Sequence, residues 1–257
     1  MSDNKRSQNA QSFWRHADHH AGSGRISNPE QPMEPLHLPL FPLRTALFPG
    51  MMLPLHIFEP RYREMIHHCL ENQSPFGVVM IREGQESGGP ATPYEIGTAA
   101  RITKVEKQTD GRMNIMTVGT RRFRIEKLDD TSHAYLSAEV SHYPILNGST
   151  TQALVMANRI RPKILRYVGL LAQSTGAQLN LAQIPEDPTT LAMLIGIAMQ
   201  VNPEEKQKIL ALAGVPEMLD WENFYLGREL QLLQYTIDTQ EQVLAMSSGP
   251  TGYIFPN

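Results

Sequence analysis

The sequence predicts an α+β protein: a β-rich first half curled into a partial barrel with one early helix, followed by a C-terminal α-helical bundle. Three observations predict this. Apolar residues recur with period two over residues 122–126 and 136–141 and with period near three and a half past residue 150. Asp110-Gly111 stands between two apolar runs, a strong hairpin signal. A single stretch in the first half, opening at Pro60, has helical spacing instead.

Each element follows in order. Residues 1–34 are rich in Ser, Asn, Gln, His, Gly and Pro and have no apolar period, so they read as a disordered polar tail. His16, His19 and His20 lie in that tail and read as solvated. Leu36 to Leu43 is apolar but carries Pro39 and Pro42, which suits an edge or extended strand. Pro49-Gly50 marks a turn, and Met51 to Phe58 extends again. Pro60 fits the first position of a helix. Tyr62, Met65, Ile66, Cys69 and Leu70 then share one face. The uniformly apolar run Phe76 to Ile81 reads as a strand covered on both faces, and Glu83 to Pro93 as a surface loop.

Ala100 to Lys107 and Arg112 to Val118 form the hairpin, with Asp110-Gly111 expected in a type I′ turn. In the next run Phe123 and Ile125 point to a core while Arg122, Arg124 and Glu126 point to water. Leu136, Ala138 and Val140 alternate with Ser137, Glu139 and Ser141 in the same way. Past Asn147-Gly148, the segment 151–174 carries Leu154, Val155, Ile160, Ile164, Leu165, Val168 and Leu171, with Pro162 expected to kink or split it. Asp187-Pro188 starts another helix, and Asn202-Pro203-Glu204-Glu205 reads as a capped start. That helix is expected to end at Gly214 before Pro216, and a last one to begin near Asp220 with Leu226, Leu230, Leu233, Ile237 and Leu244 in a stripe. The expected organisation is a β-rich subdomain over 36–146, a helical subdomain over 150–246 and a Gly/Pro tail over 247–257.

Composition narrows the function. Of 257 residues, 41% are hydrophobic and 19% charged, enough to build a real core. Lys and Arg number 23 against 26 Asp and Glu, so the basic excess usual for nucleic-acid binders is missing. One cysteine, Cys69, leaves neither an intramolecular disulfide nor a cysteine-based zinc cluster. There is no apolar run of membrane-spanning length and no signal-peptide pattern, so a cytoplasmic location is expected.

The search for chemistry returns absences. No G-x-x-x-x-G-K-S/T, G-x-S-x-G, H-E-x-x-H or G-x-G-x-x-G occurs, so no catalytic, metal or cofactor residue is assigned. His67 and His68 are helix neighbours that point about a hundred degrees apart, and His56 reads as a packed residue. Cys69 falls on an apolar helix face, where a thiol is structural. Arg121, Arg122 and Arg124 are a candidate nucleic-acid patch, against the plainer reading of a solvated sheet face beside Glu126, Asp129 and Asp130. Phe48, Met51, Met52 and Leu53 are a candidate peptide-binding patch, because methionine suits surfaces that accept varied apolar partners. The plainer reading is a barrel plug.

At Leu38-Pro-Leu-Phe-Pro-Leu43, Leu47-Phe-Pro-Gly50, Leu53-Pro-Leu55 and Ile57-Phe-Glu-Pro-Arg-Tyr62 the chain resembles the N-terminal substrate-binding domain of ATP-dependent Lon proteases. Phe76-Gly-Val-Val79, Gly97-Thr-Ala99, Asp110-Gly-Arg112 and Val118-Gly-Thr-Arg-Arg-Phe123 extend the resemblance in order, over about residues 36–245. It implies a PUA-like partial barrel with a helical subdomain, and recognition of proteins or unfolded segments. The ATPase and peptidase modules of the full protease have no counterpart in this sequence, so the expected role is non-catalytic: an adaptor or substrate-recognition protein in protein quality control. The expected partner is a protein or unfolded polypeptide, with no membrane and no cofactor and with a homo-oligomer left open. RNA binding through the arginine patch is the alternative.

Overall fold

The computed structural model describes residues 36–86, 89, 91–175 and 184–247. The N-terminal tail with its three histidines and the residues after Ser247 lie outside the described residues. The chain divides after Pro144 into two compact units.

The first unit is a seven-stranded sheet with one helix: β1 (Leu36–Leu43), β2 (Met52–Ile57), α1 (Pro60–Glu71), β3 (Phe76–Gly84), β4 (Ala91–Pro93), β5 (Ile96–Lys107), β6 (Met113–Asp129) and β7 (Ser137–His142). The path of pairing runs β1-β7-β6-β5-β3-β4, with β2 on β6. β1, at one end of this path, also pairs with β3, the strand before the other end. Its first half, Leu36–Pro39, pairs antiparallel with β7, and its second half, Leu40–Leu43, pairs parallel with β3. The sheet therefore curls into the expected PUA-like partial barrel, with β1 as its seam.

Each half of β1 is thus edge-like, as its prolines predict, although the strand as a whole has two neighbours. Each half is registered to one neighbour only, so it accommodates Pro39 and Pro42, which a strand paired along both sides would exclude. β6 is a single 17-residue strand running through Gly119, where two shorter strands had been expected. Its first half lies between β2 and β5, and its second half between β7 and β5, with register shifts that bend it. The loop expected at 83–93 contains the short strand β4, which is too brief to show a period.

The hairpin is present, but its turn is not type I′. Gly111 has φ +81°, whereas the non-glycine residues with positive φ are Gln73 and Asn147. The Gly111 N–H donates to the Gln108 carbonyl at 3.1 Å and the Gln108 N–H to the Arg112 carbonyl at 2.8 Å. That is a turn through Thr109-Asp110 followed by a left-handed glycine, the longer hairpin solution.

Two clusters fill this unit. Leu38, Leu40, Val79, Ala99, Phe123, Ala138 and Val140 pack inside the barrel. Phe41, Leu47, Ile57, Tyr62, Met65, Ile66, Cys69, Phe76 and Ile115 pack between the sheet and α1. Phe41 and Tyr62 stack with ring centroids 4.2 Å apart.

The second unit holds α2 (Thr151–Thr175), α3 (Pro188–Ala198), α4 (Pro203–Ala211) and α5 (Val215–Ser247). α2 passes through Pro162 as one helix. Its buried stripe is Ala153, Ala157, Ile160, Ile164 and Tyr167, while Leu154, Val155 and Leu165 are exposed. Ile160 and Ile164 lie on the packed face as expected, but Leu154, Val155 and Leu165 do not, because two alanines and a tyrosine complete that face. Tyr167 belongs there because its hydroxyl accepts a hydrogen bond from the Gln200 N–H at 2.9 Å.

α4 opens with the expected capping box, Asn202 and Glu205 each bonding the other's backbone N–H. It ends at Ala211, and α5 begins at Val215 instead of near Asp220. Pro216 therefore sits in the first turn of α5, where a missing N–H costs nothing, and opens that helix after the Gly214 junction. Leu226 and Ile237 are buried and Leu230 and Leu233 half-buried; the Leu244 side chain lies outside the described residues. α2 and α5 are tied by the Lys163 ammonium on the Asn223 side-chain oxygen at 2.6 Å.

Candidate functional site

The candidate peptide patch is built at the turn into β2. Met51 donates its N–H to the Phe48 carbonyl at 3.0 Å, closing a turn over Pro49-Gly50 with Gly50 at φ +83°. The turn docks on Gly119, whose N–H donates to the Met51 carbonyl at 2.9 Å. A Cβ on Gly119 would stand 2.3 Å from the Phe48 carbonyl oxygen, so only glycine permits this approach.

This geometry separates the four candidate residues. Phe48 is fully buried and faces no partner; burial of its ring is what holds the turn. Met51 and Leu53 are half-buried against the core beneath α1. Met52 is 63% exposed. Of the four, Met52 alone presents a mostly open side chain.

Alternation along β2 shows what accompanies it. Leu53, Leu55 and Ile57 turn inward, while Met52, Pro54, His56 and the following Phe58 are exposed. On β6, Val118 lies opposite Met52, Met116 opposite Pro54 and Asn114 opposite His56. Met116 and Val118 are half-buried. The His56 ring bonds the Asn114 side-chain oxygen at 2.7 Å and stacks on Phe58 at 5.8 Å. The result is an apolar outer strip, bordered where β5 follows β6 by Arg101, Lys104 and Glu106. β2 pairs with β6 only, so its other edge carries no strand among the described residues. An open edge beside an apolar face can add an extended peptide as one more strand. Pro54, Phe58, Met116 and Val118 were not picked out from sequence, although every second residue of 52–58 facing outward is the signal that could have found them.

The arginine patch does not form as expected. Arg122 is 2% exposed instead of facing water. Its guanidinium donates to the Pro144 carbonyl at 2.8 Å and lies over the Tyr143 ring at 4.7 Å. Burial pulls its pKa down to about 10, so it stays charged at neutral pH. Arg124 is exposed and reaches the same ring at 4.9 Å, while Arg121 is half-buried. The buried guanidinium is not available to a phosphate, so the three arginines do not make a contiguous basic face.

His67 and His68 line a groove of about 620 Å³ together with Arg63, Glu64, Glu71 and His133. Among the described residues no group of three or more His, Cys, Asp or Glu is placed to hold a metal ion. Cys69 is buried, and desolvation pushes its thiol up to about 12. No helix among the described residues is long and apolar enough to cross a membrane.

A curled sheet with an open edge, followed by a helical unit, defines a PUA-like fold. The profile of the ATP-dependent protease La (LON) substrate-binding domain matches residues 37–226, and the chain belongs to that family. It is 28% identical over 211 residues to Lon protease 2 of Syntrophobacter fumaroxidans, covering 81% of this chain and 26% of that protein. It is 28% identical over 229 residues to the Lon protease of Paraburkholderia phytofirmans, covering 86% and 28%. The chain thus spans about a quarter of these relatives. Among solved structures it shares the fold of the N-terminal domain of Mycobacterium avium complex Lon protease, with a TM-score of 0.60 and 19% identity over 74% of this chain and 98% of that one. A Lon N-terminal domain protein from Xanthomonas campestris aligns with a TM-score of 0.53 and 23% identity over 72% and 95%.

Proposed function

We propose that this chain recognises protein substrates, holding extended apolar polypeptide segments against the outer face and open edge of β2. The observation that carries the reading is the exposed run Met52, Pro54, His56 and Phe58 beside an unpaired strand edge. Main-chain bonds along the edge would supply sequence-tolerant affinity, and the flexible Met52 and Met116 side chains would accept varied apolar groups. Membership of the Lon substrate-binding family supports a polypeptide as the ligand. On this reading the chain is non-catalytic and works as a recognition or adaptor element of cytoplasmic protein quality control.

The test is fluorescence anisotropy with a labelled, permanently unfolded polypeptide, comparing the wild type with a Met52→Asp/Phe58→Asp variant. Both positions are exposed, so the variant keeps its fold, as circular dichroism will check. A loss of tenfold or more in affinity is expected. Undiminished affinity in the folded variant removes this face from the mechanism. Turnover of ATP or peptide by the purified chain alone would remove the non-catalytic assignment.

A further inference from the structure

We infer that the outer face of α5 is a homodimer interface, in which α5 packs antiparallel against α5 of a second copy. The helix has two apolar faces. One is inside the helical unit, with Met218, Leu219, Leu226 and Ile237 buried. The other carries Trp221, Phe224, Leu232, Tyr235 and Val243, which are 47%, 61%, 56%, 73% and 59% exposed. Trp221, Leu232 and Val243 are each eleven residues apart, as are Phe224 and Tyr235. Eleven residues make about three helical turns, so these side chains form one straight stripe. The outer face of a helix in a compact unit is normally polar, and a long apolar stripe there marks an interaction surface.

Size and charge both fit a second copy. The five side chains leave on the order of 600 Å² open on each chain, so self-pairing through them could bury at most about 1,200 Å², which reaches the lower bound of a specific interface. Within the stripe the charged side chain is Arg228, held by Glu205 at 2.7 and 2.8 Å and by Glu229 at 3.4 Å. Its charge is therefore balanced within its own chain and does not repel a copy.

The residue order selects the direction. With Leu232 on the two-fold axis, an antiparallel pair sets Trp221 of each copy against Val243 of the other, large against small. Arg228 then lies level with Tyr235 and Thr236 of the second copy, a cation beside an aromatic ring. A parallel pair would instead set Arg228 against Arg228 and Trp221 against Trp221, and would align the helix dipoles.

Cross-linking of the full chain tests this, because the buried Cys69 leaves an introduced cysteine as the reactive thiol. Under mild oxidation Leu232→Cys is expected to form a covalent dimer. Trp221→Cys alone is expected to form no covalent dimer but to cross-link when mixed with Val243→Cys. In sedimentation the wild type is expected at dimer mass, and Leu232→Glu/Tyr235→Glu to associate at least tenfold more weakly with an unchanged far-UV circular dichroism spectrum. Three results would each overturn the inference: a wild type that is monomeric at about 100 μM, a folded glutamate variant that dimerises as tightly as the wild type, or Trp221→Cys linking to itself as fast as Leu232→Cys does.

Discussion

The Phe123 ring presses on the backbone of Gly97: a Cβ at Gly97 would stand 2.7 Å from the ring Cζ. The same ring blocks a Cβ at Gly77, at 2.6 Å. Glycines on two neighbouring strands thus make room for one aromatic side chain that fills the barrel with Leu38, Leu40 and Val79. Gly97→Ala is expected to overpack this interior and cost about 1–3 kcal/mol. Phe123→Ala, which leaves a cavity, should cost about 3–5 kcal/mol. In Gly97→Ala/Phe123→Ala the added methyl no longer meets the ring, although the Val78 carbonyl oxygen still stands 2.7 Å from it, so the cost should fall below the sum of the single changes. Denaturant unfolding of the four proteins checks this, and strict additivity would show that ring and glycine do not share a space.

Glu205 joins two devices at the start of α4. Its backbone N–H donates to the Asn202 side chain at 2.8 Å, and its carboxylate accepts both the Asn202 N–H and the Arg228 guanidinium. The Arg228 hydrogen bonds hold its carboxyl below the usual range. Asn202→Ala should cost about 1 kcal/mol, as for other caps. Glu205→Ala should cost more, since it removes the reciprocal cap bond and the link to α5 together. Equal losses in thermal unfolding would mean that the Arg228 link adds nothing.

Much of this was legible in the sequence because alternation and capping are local. The barrel strands, α1 at Pro60 and the Asn202 capping box all follow from neighbouring residues. What was missed depends on partners distant in sequence. Arg122 alternates with Phe123 and so read as exposed, but Tyr143 and the Pro144 carbonyl cover it. Phe48 sits beside a Pro-Gly turn, which read as surface, yet Gly119 lets the turn pack down and bury the ring. Part of the α2 stripe was missed for a different reason: Ala153 and Ala157 are small enough to pack helices closely, and a rule that counts large apolar residues finds Ile160 and Ile164 but passes over them.

Cys69 is the one cysteine, and it is buried on the core face of α1. With the thiol pushed up to about 12 by desolvation, almost none is thiolate at pH 8. Iodoacetamide at pH 8 is expected to leave the folded protein unmodified and to alkylate it fully in denaturant, as intact mass will show. Rapid modification of the folded chain would mean that α1 opens readily.

Glu222 lies on the inner side of α5, fully buried, and neither carboxyl oxygen has a hydrogen-bond partner. Burial without a cation beside it favours the neutral acid and raises its pKa well above the usual carboxyl value. The folded state therefore holds a proton that the unfolded chain releases near pH 4.3. Its contribution to stability is complete below that pH and is lost as pH rises towards the folded pKa, by about 1.4 kcal/mol for each pH unit. Glu222→Met keeps the length of the side chain and removes the titrating group. The variant is expected to be more stable than the wild type, with a gain that grows between pH 5 and pH 8. Urea unfolding at several pH values measures both slopes, and a gain that does not change with pH would show that Glu222 finds solvent or a cation when it ionises.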